Sequence, residues 1–324
     1  SAVWASGSRL VREHGWADSR WGAGIPVADG GSEVPYAHHP PLVRAEVALS
    51  EGLFGEHRWA TRLPALLSSL AAVWLCWGWL GSLGFGTRSR SVGLLVLGGT
   101  TMLLTYGLSL NMEAVWLPFA FGLLWCWQRA KGRAWLAFVA FGVAFVGALA
   151  AHQGILLAAA LVAGAAIGAW QQRRPPRLHE VAVAVAAVLG TVAFFAWVEW
   201  AAGGFDDLER IARTRTDGGT SWAAWAAAQG RFSVSMFGLL GLVTLLAGPF
   251  LAHRRRSTVV PLCVVWAVGL TYSVVFHHGA EIHPYWNVAL LPAVALGAAL
   301  VADRIDEVGR RASAALVAVC LVAL

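Results

Sequence analysis

EAVWLPFAFGLLWCWQRAKGRAWLAFVAFGVAFVGALAAHQGILLAAALVAGAAIGAWQQRR, residues 113–174, holds three apolar runs separated by two short breaks. The runs are 113–128, 134–151 and 154–170. Each approaches the length at which a helix, rising 1.5 Å per residue, crosses a hydrocarbon layer about 30 Å thick. One break, QRAKGR, is basic, and the other, AHQG, contains no Lys or Arg. Runs of this length and spacing predict consecutive membrane-crossing helices with alternating loops.

The same pattern extends outward in both directions. Further runs lie at 63–84, 92–109, 181–201, 233–251, 258–276, 286–302 and 312–324, about ten in all. The chain is 58% hydrophobic and 13% charged, where a soluble domain carries about 25% charged residues. Its 18 tryptophans and 36 glycines also suit a bilayer protein, where Trp marks the interfaces and Gly is tolerated in helices. The expected fold class is an all-α polytopic membrane protein with amphipathic helices on its outer face.

Loop composition sets the topology. TRSR, QRAKGR, QQRRPPRLH, AHRRR and DRIDEVGRR are basic, while SLNME, AHQG and HHGAEIHPYW have no Lys or Arg. The positive-inside rule assigns the basic set to the cytoplasm. Of 24 basic residues, 14 then lie inside and 10 outside, whereas 14 of 18 acidic residues lie outside. Eight of the ten histidines fall outside too, all but His179 and His253. The pI near 9.7 therefore reports topology, and no nucleic-acid partner is implied. The division is an outer-face segment 1–62 with juxtamembrane helices, then a transmembrane domain 63–324 with a second outer loop at 202–232. Cys76, Cys126, Cys263 and Cys320 all sit in apolar runs without CxxC spacing and read as buried thiols. The chain opens on SAVWASGSRLVREHGW, with no signal-peptide core, and stops within ASAALVAVCLVAL, so truncation at both ends is expected.

The outer segments carry the candidate chemistry. Residues 1–16 pattern as an amphipathic helix burying Trp4, Leu10 and Val11. DDLERIARTR, 206–215, patterns as another, with its acids at the N-terminal end where the helix dipole favours them. Thr220 or Ser221 is a natural N-cap for a helix presenting Trp222 and Trp225 to the interface. In YAHHPPLVR, Pro40 and Pro41 bar a helix before Leu42 and hold Tyr36, His38 and His39 on a rigid extended piece, with Arg44 beyond. HHGAEIHPYWNVALLP, 277–292, brings a second His-Pro-aromatic cluster, including Glu281, His283 and Tyr285, to the same face. In SLNMEAVWLP, Glu113 either caps a helix start beside Asn111 or faces a cavity. Arg58, Arg62, Arg210, Arg213, Arg215 and Arg231 oppose the topological bias, as lipid-headgroup contacts or as forked phosphate donors. A divalent metal held by His38, His39 and His283 requires the two His loops to meet, and no HExxH or CxxC spacing supports it.

The order YAHHPPL, LFGEHRWATRLPALLSSL, NMEAVWLP, HPYWNVALLPAVAL resembles polytopic lipid-linked-sugar glycosyltransferases of the C-type fold. The branch it resembles is that of the bacterial protein O-mannosyltransferases and aminoarabinose transferases. The resemblance implies transfer from a polyprenyl-phosphate sugar donor to a glycan, lipid or protein acceptor, at the outer face of a bacterial cytoplasmic membrane. It implies donor-phosphate and substrate contacts at Tyr36, His38, His39, Arg62, His283 and Tyr285, with His39 standing where some relatives carry Lys. It implies Glu113 as a supporting acid. The catalytic Asp of the family would fall at or before residue 1, with Asp29 and Glu33 as weaker substitutes within the chain. Two other functions are open on sequence alone. One is an oligosaccharide ligase or polymerase, and the other a transporter or flippase of a lipid-linked sugar. Almost no ionisable residue lies mid-span, so the usual signature of ion-coupled transport is missing.

Overall fold

In the computed structural model of the chain, residues 2–25, 34–109, 111–217, 219–309 and 318–320 are described. The N-terminal segment forms α1 (Ala2–Asp18), a two-residue antiparallel pair β1 (Gly24–Ile25) and β2 (Val34–Pro35), and α2 (Leu42–Phe54). Membrane helices follow: α3 (Arg58–Ser82), α4 (Thr87–Gly98) continued by a π-helical turn (Met102–Tyr106), α5 (Met112–Arg129), α6 (Ala134–Ala150), α7 (His152–Gln171) and α8 (Leu178–Ala202). Then come the polar α9 (Asp206–Asp217), α10 (Trp222–Ala252), α11 (Arg256–Val275), the short α12 (His277–Ile282), a 3-10 segment (Pro284–Leu290) and α13 (Leu291–Val308). The protein is an all-α polytopic membrane protein, with the strand pair as a small clasp. Among the described residues, six helical stretches meet the length and hydropathy of a membrane span, and α6 is an apolar helix just short of it. The apolar run at 312–324 lies almost wholly outside the described residues.

The local signals explain the element starts. Pro41 precedes α2, as two prolines require. Asn111 caps α5 by accepting from the Ala114 N–H at 3.1 Å, and Ser221 caps α10 by accepting from the Ala224 N–H at 3.1 Å. Trp4, Leu10 and Val11 are buried, as the amphipathic reading of α1 requires. One expectation changes. The interfacial helix and the span that follows remain two helices within α10, but they meet at a kink at Gly238 (φ 67, ψ 172) rather than before residue 233.

The core centres on α13, which packs on α10 and α4 and is buried from Leu291 to Leu300. Side chains as small as glycine permit this. A Cβ on Gly297 would stand 2.1 Å from the Thr244 carbonyl oxygen, so the α10–α13 backbones meet only because it has none. Leu70, Trp74, Phe138, Val192 and Phe250 face outward, where lipid replaces a protein partner. Cys76, Cys126 and Cys320 are buried, but Cys263 faces outward from α11, contrary to its sequence reading; an apolar run does not tell a core face from a lipid face.

The basic loops gather at one end. Arg255 bonds Asp303 at 2.8 Å and the Gly84 carbonyl at 2.5 Å, and Arg88 pairs with Asp306 at 3.0 Å. The N-terminal segment and α9 cover the other end. Ser8 bonds Glu51 at 2.6 Å, joining α1 to α2, and Arg20 donates to the Ala201 carbonyl at 2.9 Å, fixing the clasp on α8.

Candidate active site

The extended piece 36–41 is fastened from below. Arg44 is fully buried, and its Nη2 donates to the Tyr36 carbonyl at 2.5 Å. Its guanidinium also lies 5.5 Å from the Trp4 ring, 5.4 Å from Tyr36 and 5.7 Å from Trp197. This cation ties the Tyr36–His39 piece to α1, α2 and α8. The His38 and His39 rings are 4.5 Å apart. His152, the first residue of α7, donates from Nε2 to the His38 carbonyl at 2.9 Å. The Nδ1 of His38 lies 3.3 Å from Asp207 Oδ2 on α9.

Burial pushes the His38 imidazole down from its ordinary 6.5 to about 4, overriding the opposite pull of Asp207. Burial, with the neighbouring His38 and His152, holds His39 well below the usual range. Both rings are therefore neutral hydrogen-bonding groups at neutral pH. His39 does not reproduce the permanent charge of the lysine found in some relatives.

Two cavities open beside this piece. A polar one of about 380 Å³ is lined by Tyr36, Arg62, Tyr106, Asn111, Glu113 and Tyr285, among others. An apolar one of about 280 Å³ is walled by Ile155, Leu156, Phe194, Phe195, Ile211 and Phe276 and their neighbours. His39, Arg215 and Trp286 line both and form the boundary between them. Arg215, in the last turn of α9, holds its guanidinium 4.9 Å over the Trp286 ring, and its Nη1 is buried without a partner. On the solvent side of α9, Arg210 pairs with Asp207 and Arg213 with Glu209, each at 2.5 Å.

The carboxyl of Glu113 is 1% exposed, and its Oε1 has no partner. Asn111 caps α5, and Glu113, in the first turn of that helix, lines the polar cavity. Arg62 stands one turn inside α3, which begins at Arg58, and lines the polar cavity. Tyr285 lines it too, 5.4 Å from Tyr106.

His283 packs 5.0 Å from Tyr285 and 5.5 Å from Trp286 and supports that wall from behind. Burial, with the positive charge of Arg215, pushes it down to about 4. It is not brought to His38 and His39. Among the described residues no group of three His, Cys, Asp or Glu side chains is placed to hold a metal ion. Asp29 and Glu33 lie outside the described residues.

Sequence reasoning grouped Arg215 with five other outer arginines and did not separate it. The signal was α9 itself, where Leu208, Ile211 and Arg215 recur at helical spacing on one face. Trp286 and His152 carried no such signal, since their placement depends on long-range packing.

The family model for dolichyl-phosphate-mannose-protein mannosyltransferase matches residues 38–200, half of the chain. The match begins at the paired histidines and runs to the end of α8, and the chain belongs to this family. Among solved structures it is similar to ArnT from Cupriavidus metallidurans bound to undecaprenyl phosphate, with a TM-score of 0.68 and 19% identity. That likeness covers 93% of this chain and 55% of the other. It is similar also to ArnT from the same organism in the apo state, with a TM-score of 0.65, 17% identity, and 94% and 55% coverage. At such identities the likeness is one of fold, and the chain spans about half the length of those structures. No protein of curated function matches it by sequence.

Proposed function

We propose that this chain is the core of a membrane glycosyltransferase that takes a sugar from a polyprenyl-phosphate donor at the outer face of a bacterial cytoplasmic membrane. One observation carries the reading. A polar cavity and an apolar cavity meet at Arg215, His39 and Trp286, which is the shape an amphiphile with a phosphate between sugar and hydrocarbon requires. Family membership and the fold shared with an ArnT bound to undecaprenyl phosphate support it. The gathering of the basic loops at the opposite end supports the outward orientation.

In this reading the prenyl chain lies along Phe194, Phe195 and Phe276, and the phosphate rests at the boundary. An acceptor hydroxyl or amine attacks the anomeric carbon while its proton passes to a carboxylate. The bond from that carbon to the phosphate oxygen breaks, and its electron pair leaves with the phosphate. Arg215 and Arg62 meet the charge that develops there. Neutral His39, with His38 behind it, donates or accepts without adding charge. Glu113 orients the sugar or the acceptor as a supporting acid. Tyr36 and Tyr285 bound the sugar site, with His283 holding Tyr285 in place.

The test is transfer by the full-length protein in liposomes, from a synthetic polyprenyl-phosphate sugar and from the matching water-soluble nucleotide sugar. Transfer is expected only from the lipid-linked donor. Equal use of the soluble donor, or translocation of the intact lipid-linked sugar without transfer, overturns the proposal.

A further inference from the structure

At the basic end the breaks after α5 and α7 and the start of α11 surround another cavity of about 280 Å³, which shares no lining residue with the two donor cavities. Lys131, Arg177 and Arg256 stand on its rim, one from each of these places. Glu180, the acid in its lining, is already committed. It accepts from Arg174 Nη1 and Nη2 at 2.9 and 2.7 Å, and from the Arg177 backbone N–H at 2.8 Å. The three rim cations have no acidic partner among the described residues.

The wall below the rim is apolar and shallow in side chains. Gly164 and Gly168 of α7 face Val260 and Pro261 of α11, and a Cβ placed on Gly168 meets nothing within 4 Å. Trp170, two residues on and 80% exposed, marks the level of the membrane interface. A cationic rim over an apolar groove between two membrane helices fits a molecule with an anionic head and a hydrocarbon tail. A soluble phosphate would use the rim and leave the groove idle.

We propose that this cavity binds an anionic glycerophospholipid, its phosphodiester against Lys131, Arg177 and Arg256 and one acyl chain along Gly164 and Gly168. The site is separate from the donor cavities and takes a lipid of the opposite leaflet.

The full chain is purified in neutral detergent and titrated with phosphatidylglycerol or phosphatidylcholine, with bound lipid read by native mass spectrometry. The variants are Lys131→Gln/Arg177→Gln/Arg256→Gln and the charge-matched Arg129→Gln/Arg133→Gln/Arg173→Gln, which alters cations of the same end outside the cavity. Wild type and the second variant should bind phosphatidylglycerol roughly a hundredfold more tightly than the first, at roughly fivefold for each of the three cations. Phosphatidylcholine should not distinguish them. Gly168→Leu keeps every charge, fills the groove and should also weaken phosphatidylglycerol binding, which tests the site even if the triple variant misfolds. Equal loss in both triple variants would mean diffuse surface attraction. Undiminished binding by Gly168→Leu, or displacement of the lipid by equimolar glycerol phosphate, would mean a soluble-anion site. Each of these results overturns the proposal.

Discussion

At the basic end Arg255 holds Asp303 at 2.8 Å and Arg88 holds Asp306 at 3.0 Å, while at the histidine end Glu113 Oε1, Arg215 Nη1 and His39 Nδ1 are buried with no partner. Arg90 is an exception on the basic side, since its Nε is also unpartnered, but its guanidinium lies 4.2 Å over the Trp77 ring. A buried polar atom without a partner costs about 1–3 kcal/mol. A fold tolerates several together where a ligand supplies what is missing. The contrast separates charge that holds loops together from charge held ready. It makes the two ends respond differently to the same kind of substitution.

The largest effect is expected at the boundary of the two donor cavities. Arg215→Gln should lower the transfer rate by about 10²–10³, the usual loss when one donor to a developing anion is removed. Glu113→Gln should lower it by about 10². Neither should lower the melting temperature, because in each the substitution removes a group with a buried polar atom that no partner in the fold satisfies. Single-turnover transfer alongside thermal melting checks this. A melting temperature that falls together with the rate in both variants would place these residues among the structural charges and erase the contrast.

The converse holds for Glu180. Its carboxylate ties the α7–α8 connection to the start of α8 through two bonds from Arg174 and one from the Arg177 N–H. Glu180→Gln should cost about 1–2 kcal/mol from those charge-assisted bonds, seen as a lower melting temperature. Transfer per folded molecule should be unchanged. A loss of transfer without a loss of stability would mean that the basic end takes part in the reaction.

Much of this layout was written in local sequence. Membrane spans must be long apolar runs, because lipid offers no partner to an exposed backbone group. Pro40 and Pro41 dictated the start of α2, and Asn111 and Ser221 announced the helices they cap. The site itself was legible as a face, since Glu113 and the second His-Pro cluster lie in loops without Lys or Arg and eight of the ten histidines fall on the same side as they do. What was not legible depends on contacts distant in sequence. Arg44 reads as a surface residue of an amphipathic helix, yet three aromatic rings from three elements enclose it. Arg215 reaches the site because α9 folds back over Trp286, 71 positions later. His283 looked like a partner of His38 and His39 by composition alone, and packing turned it towards Tyr285 instead.

The smallest expected effect tests whether the histidine end is held by neutral rings. His38 faces Asp207 on α9, with Arg215 and Arg44 adding positive charge nearby, and its pKa falls from 6.5 unfolded to about 4 folded. The folded state thus binds the proton more weakly than the unfolded state. Stability from a neutral His38 is complete above about pH 6.5 and is lost as pH falls from there towards about 4. Residual solvent at the ring reduces the full linkage value, leaving about 1–3 kcal/mol over that window. His39 is shifted in the same direction and adds to the loss. Melting temperature should therefore drop on acidification from pH 7 to pH 5. His38→Asn keeps a donor for Asp207 but cannot titrate, so the drop should shrink in that variant. An identical drop in wild type and His38→Asn would assign the acid sensitivity to other groups and leave His38 as packing alone.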